Sequence, residues 1–219
     1  EAATLARRSV EPAPVAAKFE RILKQVDRMV RITSELRAFS RATAAEKPSA
    51  FDVRGALAGA VDLTAAPARH AGIALTLDQA DDLPPVLGHV GRLEQVMINL
   101  INNARDALAE SDPEGLRRDM AIAVAARAVS TPRGNAVRIT VDDNGPGIAA
   151  DVLPRLFEMF VTTKPRAKGT GLGLAVCQRI VEEMGGSIVA ANKPEGGARF
   201  TVMLPEAAPG STEAVAQPV

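Results

Sequence analysis

From Ala16 to Thr43 the chain contains no glycine or proline, and Phe19, Ile22, Val26, Met29, Thr33 and Leu36 recur at steps of three and four. Leu23, Val30 and Phe39 widen that stripe, while Arg and Lys occupy much of the opposite face. This spacing predicts one long amphipathic helix, closed by Pro48. A lone helix with so broad an apolar face needs a partner, either its own domain or other helices in a two- or four-helix bundle formed by dimerisation. Beyond Pro48 the pattern becomes mixed. Asp52 is placed to cap a helix running towards His70, with Gly72 ending it. Ile73 to Leu77 alternates like a strand, and Pro84 to Leu87 reads as a short extended segment. Arg92 to Leu108 is the clearest helix, with Leu93, Val96, Met97, Leu100, Ile101, Ala104 and Leu108 on one buried stripe.

Met120 to Val129 and Ala136 to Asp142 are predicted as neighbouring strands joined by a turn at Thr131 to Asn135. A helix from about Gly171 to Met184 follows, then strands at Ser187 to Ala191 and Arg199 to Leu204 around a Pro194/Gly196/Gly197 turn. These elements predict an α+β protein, a two-layer α/β sandwich at 48–206, about 155 residues and an ordinary domain size. Residues 1–47 are expected to form a helical segment before it. The tail at 207–219, rich in Ala, Pro, Gly, Ser and Thr, is expected to be disordered.

Composition removes some function classes. Lys+Arg and Asp+Glu both number 26 in 219 residues, so there is no net basic footprint for duplex nucleic acid. Aromatic residues are 3%, with no Trp or Tyr to stack single-stranded bases, so no nucleic-acid partner is expected. No apolar run reaches membrane-spanning length and no signal peptide opens the chain, so this segment is expected to make no membrane contact. One cysteine, Cys177, excludes an internal disulfide and fits a reducing, cytoplasmic setting, although a larger parent protein can still be membrane-anchored. On its helix, Cys177 reads as a small core residue rather than a reactive thiol.

Three pieces carry candidate chemistry. On the helix from Arg92, Asn99, Asn102, Asn103 and Asp106 share the face opposite the apolar stripe. Asn competes with the helix backbone, so three on one mid-helix face call for a reason; amide oxygens suit Mg²⁺ and amide N–H groups suit phosphate. Directly after a strand comes Asp142-Asp143-Asn144-Gly145-Pro146-Gly147-Ile148. A carboxylate there accepts from the exocyclic amine of adenine and repels the carbonyl of guanine, while Gly145 and Gly147 let the backbone approach a flat ring. Gly169-Thr170-Gly171-Leu172-Gly173-Leu174 then opens a helix, where consecutive N–H groups and the helix dipole favour an anion. Between the last two, Leu156 to Lys164 reads as a lid anchored by Phe157 and Phe160, carrying Lys164 towards phosphate. Each alone has a plainer reading: a solvated helix face, a strand-ending turn, a surface loop.

Their order is more specific than any member. Together with the closing Gly196-Gly197-Ala198-Arg199-Phe200 strand, they resemble the ATPase domain shared by histidine kinases, DNA gyrase, the Hsp90 chaperone and MutL-type repair proteins. Within that superfamily the match is to bacterial sensor histidine kinases: EQVMINLINNARDA resembles their N box, DDNGPGI and GTGLGLA their glycine boxes, and LFEMFVTTK their phenylalanine box. The resemblance implies a Bergerat-type fold, a mixed sheet packed on helices, with ATP and Mg²⁺ as cofactors. It implies Asn103 as metal ligand, Asn99 and Asn103 as catalytic residues, and Asp143 as reader of adenine. Further nucleotide contacts are implied for Asn102, Gly145, Gly147, Ile148, Thr163, Lys164, Lys168, Gly169, Thr170, Gly171, Leu172, Gly173 and Leu174.

Hydrolysing members hold a glutamate at the position of Asn99, and an amide cannot take a proton at neutral pH, which favours phosphoryl transfer over hydrolysis. Asp106 departs from the pattern, standing where many sensor kinases carry a phosphate-binding lysine. It is expected to face elsewhere or act through water, with Lys164, Arg166 or Lys168 supplying the charge. QVDRMVRITSELRAFSR resembles the second helix of the dimerisation and phosphoacceptor bundle, implying a homodimer and a response regulator receiver domain as partner. The acceptor histidine box is absent, and neither His70 nor His89 sits in the expected helix, so the chain reads as a fragment beginning after that histidine. The competing functions are a nucleotide-binding module without kinase activity and an ATP hydrolase.

Overall fold

The computed structural model describes residues 47–112, 119–162 and 170–208. The helix expected from Ala16 to Thr43 lies outside them, as do Thr163, Lys164, Arg166, Lys168, Gly169 and the tail from residue 209. The described chain runs β1 (Ser49–Phe51), α1 (Val53–His70), β2 (Ala74–Gln79), β3 (Val86–Gly88), α2 (Val90–Ser111), β4 (Ala121–Thr131), β5 (Gly134–Asp143), a 3-10 turn (Leu153–Arg155), α3 (Gly173–Glu183), β6 (Ser187–Asn192) and β7 (Ala198–Pro205). Five strands form one sheet in the order β2-β4-β5-β7-β6. The β2–β4 pair is parallel and the others antiparallel, giving the expected mixed sheet.

Alternation along each strand sends one set of side chains to the helices. Ile122, Val124 and Ala126 of β4, Val137, Ile139 and Val141 of β5, and Phe200, Val202 and Leu204 of β7 are buried there. Arg138, Thr140 and Asp142 point to the other face, which no helix covers among the described residues. The helical layer is built around α2, flanked by α1 and α3. All seven residues of its predicted apolar stripe are at most 2% exposed.

Local chemistry sets most boundaries. The Asp52 carboxylate accepts the Arg54 N–H at 2.9 Å and so caps α1, and Gly72, at φ +71°, turns the chain out of it. Helix α3 begins at Gly173 rather than Gly171, because Gly171 has φ +68° and lies in the left-handed region. Strand β1 was not expected. It has three residues, too few to show alternation, and exists because it pairs with β3 through Ser49↔Gly88 and Phe51↔Val86. Ordered packing also passes the expected boundary at 206: the Ala207 N–H donates to the Pro85 carbonyl at 2.8 Å.

The Arg54 guanidinium bonded to Asp52 holds that carboxyl below its ordinary range. Its charged-state contribution is therefore full above the unfolded value of about 3.9 and is lost as pH falls through the lower folded value. Asp52→Ala should lower the unfolding free energy by about 1 kcal/mol at neutral pH. Urea titrations at decreasing pH should show the gap between variant and parent closing in acid.

Candidate functional site

The three pieces singled out by the sequence meet at one end of the sandwich, where β5 ends and α2 faces the start of α3. Asp143 is the only buried carboxylate among the described residues, at 4% exposure. Its Oδ1 accepts two backbone N–H groups, from Gly145 at 2.9 Å and from Ala198 at 3.2 Å. Its Oδ2 has no partner among the described residues, so half of a buried carboxylate is left to accept a donor. Neighbouring Asp142 is on the opposite sheet face, where its carboxylate takes the Arg199 Nε–H at 2.8 Å and holds that guanidinium further above its ordinary pKa. Strand alternation thus splits the Asp-Asp doublet and sends only the second member inward.

The turn after Asp143 is shaped by its neighbours. Asn144 ties it to β4: its Oδ1 accepts the Ala121 N–H at 2.9 Å and its Nδ2 donates to the Asp119 carbonyl at 2.6 Å. Gly147 adopts φ +79°, and a Cβ there would lie 2.8 Å from Asn192 Oδ1. The Ile148 side chain packs on the core. Gly197, at φ +85°, lies directly on the Asp143 carbonyl, 2.0 Å from where its own Cβ would be.

On α2, Asn99, Asn102 and Asn103 are half-buried. The Asn99 Nδ2 donates to the Gly173 carbonyl at 2.8 Å and to Cys177 Sγ at 3.4 Å. Because a carbonyl only accepts, the nitrogen must face α3, leaving Asn99 Oδ1 without a partner among the described residues. The side chains of Asn102 and Asn103 likewise make no hydrogen bond there. This leaves the Asn99 amide oxygen beside the N-terminus of α3, where helix N–H groups favour anions, with Asn102 and Asn103 on the same face of α2. Asp106 pairs with adjacent Arg105 at 2.8 Å, so its charge is met on its own helix. Cys177 is buried, as expected of a core residue, and its sulfur also serves Asn99.

The second glycine stretch is joined to the Phe-rich segment. Phe160 donates its N–H to the Gly171 carbonyl at 2.8 Å, and Thr170 Oγ1 accepts the Leu172 N–H at 3.3 Å. Leu172 and Leu174 are half-buried, Leu174 against the core. The expectation that both phenylalanines anchor this segment needs correction. Phe157 packs on the core, but Phe160 is 72% exposed. With Phe160 at φ +67°, its backbone N–H makes the attachment and the ring is turned out. Thr163, Lys164, Lys168 and Gly169 lie outside the described residues. Asn192 escaped the sequence, and Gly197 and Ala198 were read only as part of the closing turn and strand, not as supports of Asp143.

Residues 88–208 match the family model for histidine kinase-, DNA gyrase B- and HSP90-like ATPases. The chain is 43% identical over 192 residues to the two-component sensor PprA of Pseudomonas aeruginosa, covering 88% of this chain and 20% of that protein. It is 39% identical over 189 residues to the sensor kinase CckA of Brucella abortus, covering 84% of this chain and 20% of that one. The chain therefore spans about a fifth of the length of these curated relatives. The crystal structure of full-length ShkA in complex with AMPPNP superposes with a TM-score of 0.69 at 28% identity, over 87% of this chain and 38% of that chain. The catalytic domain of histidine kinase ThkA gives 0.61 at 26% identity, over 74% and 97%.

Gly197 supports the site by having no side chain. Gly197→Ala should cost about 3 kcal/mol, combining left-handed strain with overpacking against the Asp143 carbonyl. Chemical denaturation of the variant beside Gly196→Ala, whose Cβ would meet nothing within 4 Å, separates the steric cost from the conformational one.

Proposed function

The chain belongs to the family of histidine kinase-, DNA gyrase B- and HSP90-like ATPases, and from that membership we propose that it holds Mg-ATP as the catalytic core of a sensor histidine kinase, delivering the γ-phosphoryl to a histidine. The observation that carries the reading is the half-satisfied Asp143 carboxylate. Its free Oδ2 suits the exocyclic amine of adenine and repels the carbonyl that guanine places there. The glycine turn after it gives the purine ring a surface without side chains. Phosphates then lie along the Asn face of α2 and the N-terminus of α3, where helix N–H groups meet their charge.

The donor set fits a magnesium ion. Among the described residues no group of three His, Cys, Asp or Glu side chains is placed to hold a metal. The amide oxygen of Asn103, helped by Asn99, is a hard neutral ligand of the kind Mg²⁺ takes alongside phosphate oxygens. When bound, the ion neutralises charge developing on the phosphates. Asn99 takes no proton at neutral pH, so this chain positions its phosphoryl for a nucleophile supplied from elsewhere rather than activating water. Phosphoryl transfer needs alignment and charge neutralisation above all, and amides and backbone N–H groups provide both.

His70 stands at the end of α1, with its Nδ1 2.8 Å from the Ala66 carbonyl, and not in the helical segment where the acceptor is expected. We place the acceptor histidine on a helix that partners residues 16–43 in a homodimer, with the receiver-domain aspartate of a response regulator taking the phosphoryl next. No helix among the described residues is long and apolar enough to cross a membrane, and we place the domain in the cytoplasm.

Titration calorimetry tests this reading. The chain should bind Mg-ATP and discriminate against Mg-GTP, and Asp143→Asn should weaken ATP by about tenfold to a hundredfold, the value of a charge-assisted hydrogen bond. Absence of adenine nucleotide binding, or an unchanged Asp143→Asn, would overturn it.

A further inference from the structure

We propose that Asn192, at the end of β6, is the positioning residue that holds the purine-facing glycine turn in its binding conformation; the inference rests on the reading of Asp143 as the adenine contact. The Asn192 amide is spent at both ends on one distant residue. Its Oδ1 accepts the Ile148 N–H at 2.7 Å, and its Nδ2 donates to the Ile148 carbonyl at 2.8 Å, 44 positions away in sequence. A two-point bond of this kind imitates a strand pair and fixes the peptide planes on both sides of Ile148.

No other restraint does this work. Among the described residues, the main chain of Pro146, Gly147 and Ile148 makes no hydrogen bond except to Asn192. Nor does Asn192 need its side chain for its own hairpin. The β6–β7 turn is already closed by Lys193 N–H to Gly197 O at 2.9 Å, Gly196 N–H to Lys193 O at 3.0 Å, and the Asn192↔Ala198 pair. Gly147 has no Cβ where Asn192 approaches, a close fit that a larger residue would break.

The same hairpin supports the other end of the turn, since Ala198 donates to Asp143 Oδ1. Asn192 and Ala198 therefore hold the two ends of the segment from Asp143 to Ile148 against one rigid element. Asn192 acts through Ile148 and Gly147, by removing conformations that binding would otherwise have to order. Its effect belongs to the base end of the pocket and not to the phosphates.

The test uses the full chain, its Asn192→Ala and Asn192→Asp variants, and calorimetric titration with ADP in the presence of Mg²⁺ or of EDTA. Loss of both hydrogen bonds should weaken ADP about tenfold. The factor should be the same with and without the metal, with faster amide exchange at Ile148 and a melting temperature within a few degrees of the parent. Asn192→Asp keeps the acceptor but opposes an oxygen to the Ile148 carbonyl, so it should bind ADP no better than the alanine variant. It also serves as the readout if Asn192→Ala does not fold. Parent-like ADP affinity in either folded variant, or a loss seen only with Mg²⁺ present, overturns the proposal. Failure of the parent chain itself to bind ADP would instead remove the functional reading beneath it.

Discussion

Burying a carboxylate at the end of β5 constrains everything around it, because an ionised oxygen taken out of water must be met by donors. Asp143 meets this with two backbone N–H groups on one oxygen, one from its own turn and one from Ala198, 55 positions on. The second donor arrives only through the β5–β7 register, in which Asp142 faces Arg199. A slip of one residue would carry Asp142 inward and Asp143 to the open face. The inward aspartate would then lose its donors, and Arg199 would lose its partner. Sheet register therefore does more than fill the core: it decides which of two adjacent, chemically identical residues is offered to a ligand.

Helix α2 carries an analogous double duty. Its apolar stripe makes it the central member of the helical layer, and its polar face supplies the amides. Asn99 joins the two roles, since its Nδ2 fastens α2 to the first residue of α3. A carboxylate at this position would set oxygen against the Gly173 carbonyl. The amide is therefore demanded by helix packing as well as by the proposed transfer chemistry, and one substitution would disturb both. Cys177 adds a soft acceptor on the same side of that amide, so its nitrogen is held towards α3 and its oxygen is the end left over.

What the sequence made legible follows from how local each determinant is. The buried stripe of α2 could be read residue by residue because a 3.6-residue period repeats over many turns. Asp52 and Gly72 marked α1 because a cap and a left-handed exit are single-residue devices. The Asn face could be picked out as chemistry because Asn in mid-helix conflicts with local propensity, and Asp143 because a carboxylate and two glycines directly follow a strand. By contrast, β1 depends on a partner strand 35 or more positions away, and neither Asn192 nor Ala198 carries a local signal of its contact with the Asp143 turn. The outward ring of Phe160 was missed for a related reason. An aromatic in a hydrophobic run predicts burial, and only its backbone bond to Gly171 and its left-handed φ reverse that.

The glycines of the site show where this division leads. A glycine-rich loop invites the reading that room is being made for a ligand. In this fold, missing side chains at Gly197 and Gly173 are required first by the protein: one lies against the Asp143 carbonyl and the other against the Asn99 amide. They let a hairpin close on the end proposed for the base and a helix close on the end proposed for the phosphates. On the proposed reading the two ends rest on different supports, the Asp143 end on the β5–β7 register and the β6–β7 hairpin, the Asn99 end on the α2–α3 contact. A disturbance of the hairpin should then alter recognition of the base while leaving the phosphate-facing amides in place, and a disturbance of the helix contact should do the reverse. That separation lets a ligand's two halves be weighed independently, which a single continuous loop around the whole nucleotide would not permit.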